Sequence, residues 1–194
     1  NVTGYDLPKL AAGSWGRLFA ITELTLKVMP RPESSLTVAV LGLDASAAVR
    51  AMACAMGSQA EVAAAAHIPA IEGKPLTALR LEGFAPSIAV RAQILATVLT
   101  SFGRVEHLDP ASADQVWTAL QTLQPLGSKR PLWRINVPPG AGAHVAEALT
   151  SLGADWLMDW AGGLVWAALD ADPAQIRSLA QSARGHAILL RGPE

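Results

Sequence analysis

The strongest constraint on this chain is an order of predicted strands and helices that occurs twice. The spacing of apolar residues predicts strand, helix, strand, strand, helix and strand over residues 33–108, and the same order over residues 131–194. In the first unit, one helix begins after Asp44 and the other at Pro86. A further helix and a connector containing proline and glycine make up residues 109–130. The β-α-β-β-α-β order is that of the split βαβ, ferredoxin-like motif.

The paired units predict an α+β fold with one extended, mostly antiparallel sheet. Because the two helices of a unit can cover only one face of its sheet, two units side by side would carry all their helices on one face. The opposite face is then expected to be covered by a partner or by another domain. A glycine follows each of the four repeat helices, where a left-handed backbone is favourable: Gly57, Gly103, Gly153 and Gly185.

Composition argues against several classes of function. The 194 residues are 51% apolar and 16% charged with a net charge of −1, so no basic surface for nucleic acid is indicated. No apolar run reaches the roughly 20 residues of a membrane span. The single cysteine, Cys54, rules out an intrachain disulfide and is predicted to be buried on its helix. No metal site is predicted, because the four histidines lack the spacing of metal ligands: His67, His107, His144 and His186.

Residues 1–32 carry a separate pattern. A proline shortly after Asp6 predicts a short helix with an aspartate N-cap. Gly13 and Gly16 bracket a predicted tight turn, in which the backbone can approach another group closely. Alternating apolar and polar residues then predict a strand over residues 18–28, which two prolines end.

This segment resembles the closing part of the FAD-binding domain in FAD-linked oxidases of the vanillyl-alcohol-oxidase type. The shared features are Asn-Val-x-Gly-Tyr-Asp-Leu at residues 1–7, Gly-Ser-x-Gly followed by Ile-Thr-Glu at residues 13–23, and Pro-x-Pro at residues 30–32. The resemblance implies that residues 1–32 are the remnant of an FAD-binding domain. The residues implied in FAD binding are Gly4, Tyr5, Asp6, Gly13, Ser14, Gly16 and Ile21. Because the chain begins inside this motif, we expect it to be part of a longer protein and expect the isolated chain to hold no FAD.

The same resemblance implies that residues 33–194 form the α+β cap domain of such an oxidase. The chain is most similar to the FAD-binding accessory subunits of bacterial glycolate oxidases, as judged from residues 26–30, residues 79–84 and Arg91. The implied activity is oxidation of a small 2-hydroxy acid such as glycolate, together with a catalytic flavoprotein subunit and an iron–sulfur subunit. The implied location is the cytoplasm, with membrane association through the partner subunits.

Charged residues on one strand are the candidate substrate ligands. Arg80 and Glu82 share a strand face opposite Leu79 and Leu81, and either meet the carboxylate of a substrate or form a solvated surface. Arg91, on the following helix, is a third candidate. No catalytic residue is assigned, because the chain lacks the histidine-rich motif of the catalytic relatives.

Two other functions remain open on the sequence. One is a stand-alone FAD-linked dehydrogenase of the D-lactate type. The other is a non-enzymatic module of paired ferredoxin-like units that binds a partner or a small ligand. The six tryptophans are many for this length, and we expect them either in the core or at a subunit interface.

Overall fold

The chain divides into two compact units. A computed structural model describes residues 6–71 and 73–192. The first unit is Asn1–Arg31 and the second is Pro32–Glu194. The candidate FAD ligands all lie in the first unit, and the repeated order of strands and helices lies in the second.

The first unit contains one short helix followed by a glycine turn. Helix α1 spans Leu7–Ala11, and a carboxylate oxygen of Asp6 accepts a hydrogen bond from the amide of Lys9 at 3.3 Å. Gly13 and Gly16 have φ angles of 80° and 70°, a backbone that side-chain-bearing residues rarely adopt. The N-capped helix and the turn expected from the sequence are therefore both present.

The strand expected over residues 18–28 is absent. The backbone of this segment is irregular, and its apolar side chains are exposed, from 40% at Phe19 to 76% at Val28. A strand needs a neighbour that takes up its backbone hydrogen bonds, and the described part of this unit holds no other strand. The alternating segment therefore has no strand with which to pair in the described part of this unit.

In its described residues, the second unit contains eight strands and five helices. In chain order they are β1 Ser34–Leu41, α2 Ala45–Met56, β2 Ala64–Ile71, β3 Lys74–Gly83, α3 Ala85–Leu99, β4 Val105–Leu108, α4 Pro110–Thr122, β5 Leu132–Asn136, α5 Gly142–Ser151, β6 Asp155–Asp159, β7 Leu164–Ala168, α6 Pro173–Ser182 and β8 His186–Arg191. Short 3₁₀ helices lie at Gln124–Leu126, Pro139–Ala141 and Trp160–Gly162. The β-α-β-β-α-β order occurs twice, with α4 between the two halves, as the sequence predicts.

The eight strands form one antiparallel sheet in the order β4-β1-β3-β2-β6-β7-β5-β8. Each half places its fourth, first, third and second strands side by side, counted from the outer edge inward. The halves join where β2 pairs with β6, with His67 opposite Met158. The fold is thus a mixed α+β fold with an extended antiparallel sheet.

The main core lies between one face of the sheet, here called the first face, and the helices α2, α3, α5 and α6. On α3 the buried residues Ile88, Ala92, Leu95 and Leu99 recur at steps of four, three and four. This spacing places them on one side of the helix, which packs against the strands. Trp133 on β5 is fully buried in the same core.

Helix α4 corrects the expectation that the helices cover one face only. It lies on the opposite, second face, where Val116 and Leu120 pack with Ala39, Ala66 and Ala78 of the sheet. The small alanine side chains leave space for a helix close to the strands. The protein therefore covers part of the second face with its own chain.

Only one of the four helix-ending glycines has the left-handed backbone that the sequence predicts. Gly153 has a φ of +71°, whereas Gly57 has a φ of −83°. After α6 the left-handed residue is Arg184, with a φ of 59°. Gly185 has a different role, because a Cβ there would overlap the backbone carbonyl oxygen of Asn136. That glycine is required by close packing of two backbone segments.

Cys54 is exposed, which corrects the prediction of a buried thiol. The residue does lie on α2, as expected, but it falls outside the stripe that faces the core. The buried positions of the helix are Ala45, Ala48, Val49, Ala51, Met52 and Ala55.

Candidate functional site

A pocket of about 760 Å³ opens on the second face, near the junction of the two halves of the sheet. We call it the junction pocket. Its walls come from both halves and from the helix between them, and they include Ala64, Arg80, Trp117, Asp159 and Trp160. Its size is typical of small-ligand sites, which are mostly apolar with a few polar groups.

Arg80 is held in the junction pocket by two neighbours. Its Nε lies 3.0 Å from Glu82 Oε1, although the N–H is not aligned for a hydrogen bond. Its Cζ lies 4.7 Å from the centroid of the Trp117 ring, within the range of a cation–π interaction. Trp117 is itself oriented by donation from its Nε1 to Thr37 Oγ1 at 2.9 Å. Among the described residues, no hydrogen bond uses the terminal nitrogens of Arg80, so these can serve a ligand.

Asp159, the last residue of β6, places a carboxylate in the same pocket. Its Oδ1 accepts a hydrogen bond from the amide of Trp160 at 2.7 Å. Burial raises the pKa of Asp159 above its usual value of 3.8, and this effect is opposed by the Trp160 amide and by the charge of Arg80. The two charged side chains influence each other without forming an ion pair.

The segment that follows Asp159 is strained. Trp160 and Ala161 have φ angles of 52° and 55°, in the left-handed region that favours glycine. The indole of Trp160 is 58% exposed, and the guanidinium carbon of Arg134 lies 5.5 Å from its ring centroid. The same carbon lies 6.0 Å from the ring of Trp166. Strain of this kind tends to occur at functional sites, since the surrounding structure must hold it in place.

The two strand residues named as substrate ligands occupy the second face. Leu79 and Leu81 are fully buried in the core on the first face, so the alternation along β3 turns Arg80 and Glu82 the other way. Arg80 lines the junction pocket, and Glu82 is its ionic partner.

Arg91 lies elsewhere and is not among the residues that line the junction pocket. Its Nη2 donates to the backbone oxygen of Glu82 at 2.6 Å, and its Nη1 donates to the backbone oxygens of Ala60 and Glu61 at 3.4 and 3.3 Å. The Glu61 carboxylate lies 3.5 Å from the same Nη1. These contacts tie α3 to the segment before β2 and to the end of β3.

The glycine turn of the first unit is open. Apart from each glycine and its two chain neighbours, no described atom lies within 4 Å of the position that a Cβ would take at Gly13 or Gly16. Asp6 is engaged as the N-cap of α1. Gly4 and Tyr5 lie outside the described residues.

The remaining candidates of the first unit are Ser14, within this turn, and Ile21, after it. The backbone amide of Ser14 donates a hydrogen bond to the carbonyl oxygen of Ala11 at 3.1 Å. Ile21 is 55% exposed. It lines an apolar groove of about 560 Å³ together with Leu7, Pro8, Ala11, Ala12, Phe19, Leu24 and Leu26.

His67 belongs to the core rather than to the pocket. Its Nδ1 lies 2.9 Å from Thr77 Oγ1, and its ring centroid lies 5.8 Å from that of Trp156. Burial lowers the pKa of His67 to about 4, and the charge of Asp44 opposes this shift. Across residues 6–71 and 73–192, no three His, Cys, Asp or Glu side chains come together as a metal site would require.

Sequence reasoning missed four residues of this region: Arg134, Trp117, Asp159 and Trp160. The 3₁₀ helix Trp160–Gly162 connects β6 with its antiparallel neighbour β7. The alternation within β6 does carry a signal, since Asp159 shares a face with the buried Leu157. The pattern within β6 does not show that Arg80 of β3, which is separated from β6 by β2 in the sheet, lines the same pocket.

Comparison with known proteins identifies a relative for almost the whole chain. The chain is 31% identical over 198 residues to glycolate oxidase subunit GlcE of Escherichia coli strain K12, a match that covers 96% of the chain. This subunit is a distant homologue of the chain. The chain spans about half of the length of that relative, since the match covers 47% of it. The resemblance to glycolate oxidase subunits is therefore supported at the level of distant homology.

Other comparisons add little. No protein-family model matches the chain. A microcompartment protein from Desulfitobacterium hafniense DCB is 16% identical and covers 82% of this chain and 96% of its own, with a TM-score of 0.29. That score is too low to relate the two folds.

None of the helices within residues 6–71 and 73–192 combines the length and the apolar composition of a membrane span.

Proposed function

We propose that this chain forms the cap part of an FAD-binding subunit in an oxidase or dehydrogenase complex that acts on glycolate or a similar 2-hydroxy acid. The observation that carries the proposal is the homology to a glycolate oxidase subunit over 96% of the chain. Residues 1–32 would be the end of the FAD-binding domain. Residues 33–194 would be the cap domain, with ferredoxin-like units at residues 33–108 and 131–194.

The first unit fits a role in holding FAD. Its glycine turn is open at the Cβ positions of Gly13 and Gly16, so a large planar group can approach their backbone more closely than it could with side chains there. Ser14 lies within this turn, and Ile21 adds apolar surface beside it. When bound, FAD would supply the acceptor for the two electrons that the substrate loses. The residues of this chain would contribute binding and orientation.

The junction pocket fits a small organic acid. Arg80 offers a guanidinium whose terminal nitrogens are free among the described residues, and Trp117 holds its plane in position. A guanidinium and a carboxylate form charge-assisted hydrogen bonds, which are stronger than neutral ones. The alanines Ala63, Ala64 and Ala65 supply an apolar wall that would exclude water from the bound acid.

Partner subunits would complete the activity. A catalytic flavoprotein subunit and an iron–sulfur subunit would supply the remaining redox centres of the complex. The described part of this chain contains no cluster of metal ligands of its own. Its contribution would be the cap domain and part of the FAD site.

The test is flavin occupancy of the full-length protein. Replacing Gly16 with Val should lower the flavin content at least about tenfold, because a β-branched residue disfavours the left-handed backbone and fills the turn. Gly127 is the matched control, since it also has a positive φ, 63°, and open space at its Cβ position, but lies in the connector after α4. Gly127→Val should retain flavin. Equal flavin content in the two variants and the wild type would contradict the proposed role of the turn.

A further inference from the structure

The junction pocket holds two opposite charges that do not neutralise each other directly. Arg80 and Asp159 both line it and influence each other electrostatically, yet they form no ion pair. Arg80 is instead paired with Glu82, which is not among the residues that line the pocket. A guanidinium and a carboxylate thus both line a space large enough for a small ligand.

The neighbours of Asp159 orient it. One oxygen accepts the Trp160 amide at 2.7 Å, which fixes the side chain and leaves lone pairs on both oxygens for another donor. The charged group that acts on it is Arg80 on β3, and Arg134 on β5 lies against the ring of the adjacent Trp160.

We propose that Asp159 determines selectivity for the hydroxyl group of a 2-hydroxy acid whose carboxylate is bound by Arg80. The inference rests on the proposed function, which supplies the class of substrate. It adds a residue that distinguishes the substrate from its oxidised product.

The discrimination follows from hydrogen-bond chemistry. An ionised carboxylate only accepts hydrogen bonds, so it binds the hydroxyl of a 2-hydroxy acid and repels the oxygen of a 2-oxo acid. A site built to bind a hydroxyl rejects analogues without one, because its own polar group is then left unpaired. The same carboxylate, once protonated, would donate a hydrogen bond and lose this preference. Because burial raises the pKa of Asp159, that loss begins at a higher pH than for an exposed aspartate.

The experiment compares three acids of equal carbon number: lactate, pyruvate and propionate. Their dissociation constants are measured by titration calorimetry on the full-length flavin-loaded protein at pH 7.5. Lactate should bind about tenfold more tightly than pyruvate or propionate, the equivalent of about 1.4 kcal/mol. Asp159→Asn should bring the affinities for lactate and pyruvate to within about twofold of each other, because the amide both donates and accepts. Lowering the pH should reduce the lactate preference of the wild type and leave that of Asp159→Asn unchanged.

Asp155→Asn is the matched control. Asp155 lies on the same strand and carries the same charge, but its partner is Arg130 at 3.1 Å and it does not line the junction pocket. This variant should keep the lactate preference. Equal affinities for the three acids, or no binding of any of them, in a wild-type protein that retains flavin would overturn the inference. Failure of the proposed function would show separately, as absence of flavin from the full-length protein.

Discussion

The guanidinium of Arg80 lies over the indole of Trp117, with its Cζ 4.7 Å from the ring centroid. The contact joins β3 to α4, and Trp117 is held in turn by Thr37 on β1. A helix that links the two halves of the sheet therefore also positions the cation of the junction pocket. The side chains that support the fold here are thus the ones that would bind a ligand under the proposed function.

The hydrogen bond between Trp117 and Thr37 should contribute measurably to stability. Thr37 is 2% exposed, so a lost partner cannot be replaced readily by water. We expect a coupling of about 1 kcal/mol in a double-mutant cycle of Trp117→Phe and Thr37→Val, measured as the free energy of unfolding in urea. The exposed pair of Trp156 and Thr150, with its 2.8 Å bond, is the control and should couple less. Simple additivity of the Trp117 and Thr37 substitutions would refute the expectation.

His67 should make stability depend on pH between 6.5 and about 4. In this window the unfolded chain binds a proton at the imidazole and the native protein does not, so the free energy of unfolding falls as pH falls. The pKa shift from 6.5 to about 4 corresponds to a loss of about 3 kcal/mol across the window, and the contribution is fully present above pH 6.5.

Urea denaturation of the wild type and of His67→Gln at several pH values measures this effect. The glutamine variant should lose most of the slope over that window. His107→Gln is the control, because His107 is exposed on β4, and it should keep the slope. If the free energy of unfolding depends on pH equally in His67→Gln and the wild type, groups other than His67 cause the dependence.

Arg91 should stabilise the fold through its hydrogen bonds to backbone oxygens, beyond the contribution of its charge. Lysine keeps the positive charge but cannot reproduce the fork that bonds the backbone oxygens of Glu82 and Glu61. Arg91→Lys should lower the free energy of unfolding by about 1–3 kcal/mol, since hydrogen bonds from charged groups are lost. The control is Arg104→Lys, because the Arg104 side chain is 82% exposed and its ion pair with Glu106 should contribute little. Thermal or urea unfolding that is identical in the two variants would exclude a structural role for Arg91.

Local sequence patterns predicted the structure correctly where a segment packs against a single surface. The spacing of Ile88, Ala92, Leu95 and Leu99 identified α3 and its buried side. The N-cap at Asp44 marked the start of α2, where its carboxylate accepts a hydrogen bond from the amide of Ala47 at 2.7 Å. In both cases the signal and the structure are local, because helix periodicity and capping depend on residues a few positions apart.

Predictions failed where the outcome depends on distant partners. The alternation over residues 18–28 lacks a neighbouring strand, so the segment is irregular. The apolar side of α4 could face either surface of the sheet, and the small side chains Ala39, Ala66 and Ala78, far apart in the sequence, make space for it on the second face.

The sequence by itself determined the order of strands and helices and the face of β3 that carries Arg80 and Glu82. These features follow from repeat periods of 2 and 3.6 residues along one segment. Only the tertiary structure decided that Arg80, Trp117 and Asp159 line one pocket. They come from three elements that meet because β2 pairs with β6 and α4 crosses the second face. Such pairing between distant strands depends on packing across the whole sheet, which no local period encodes.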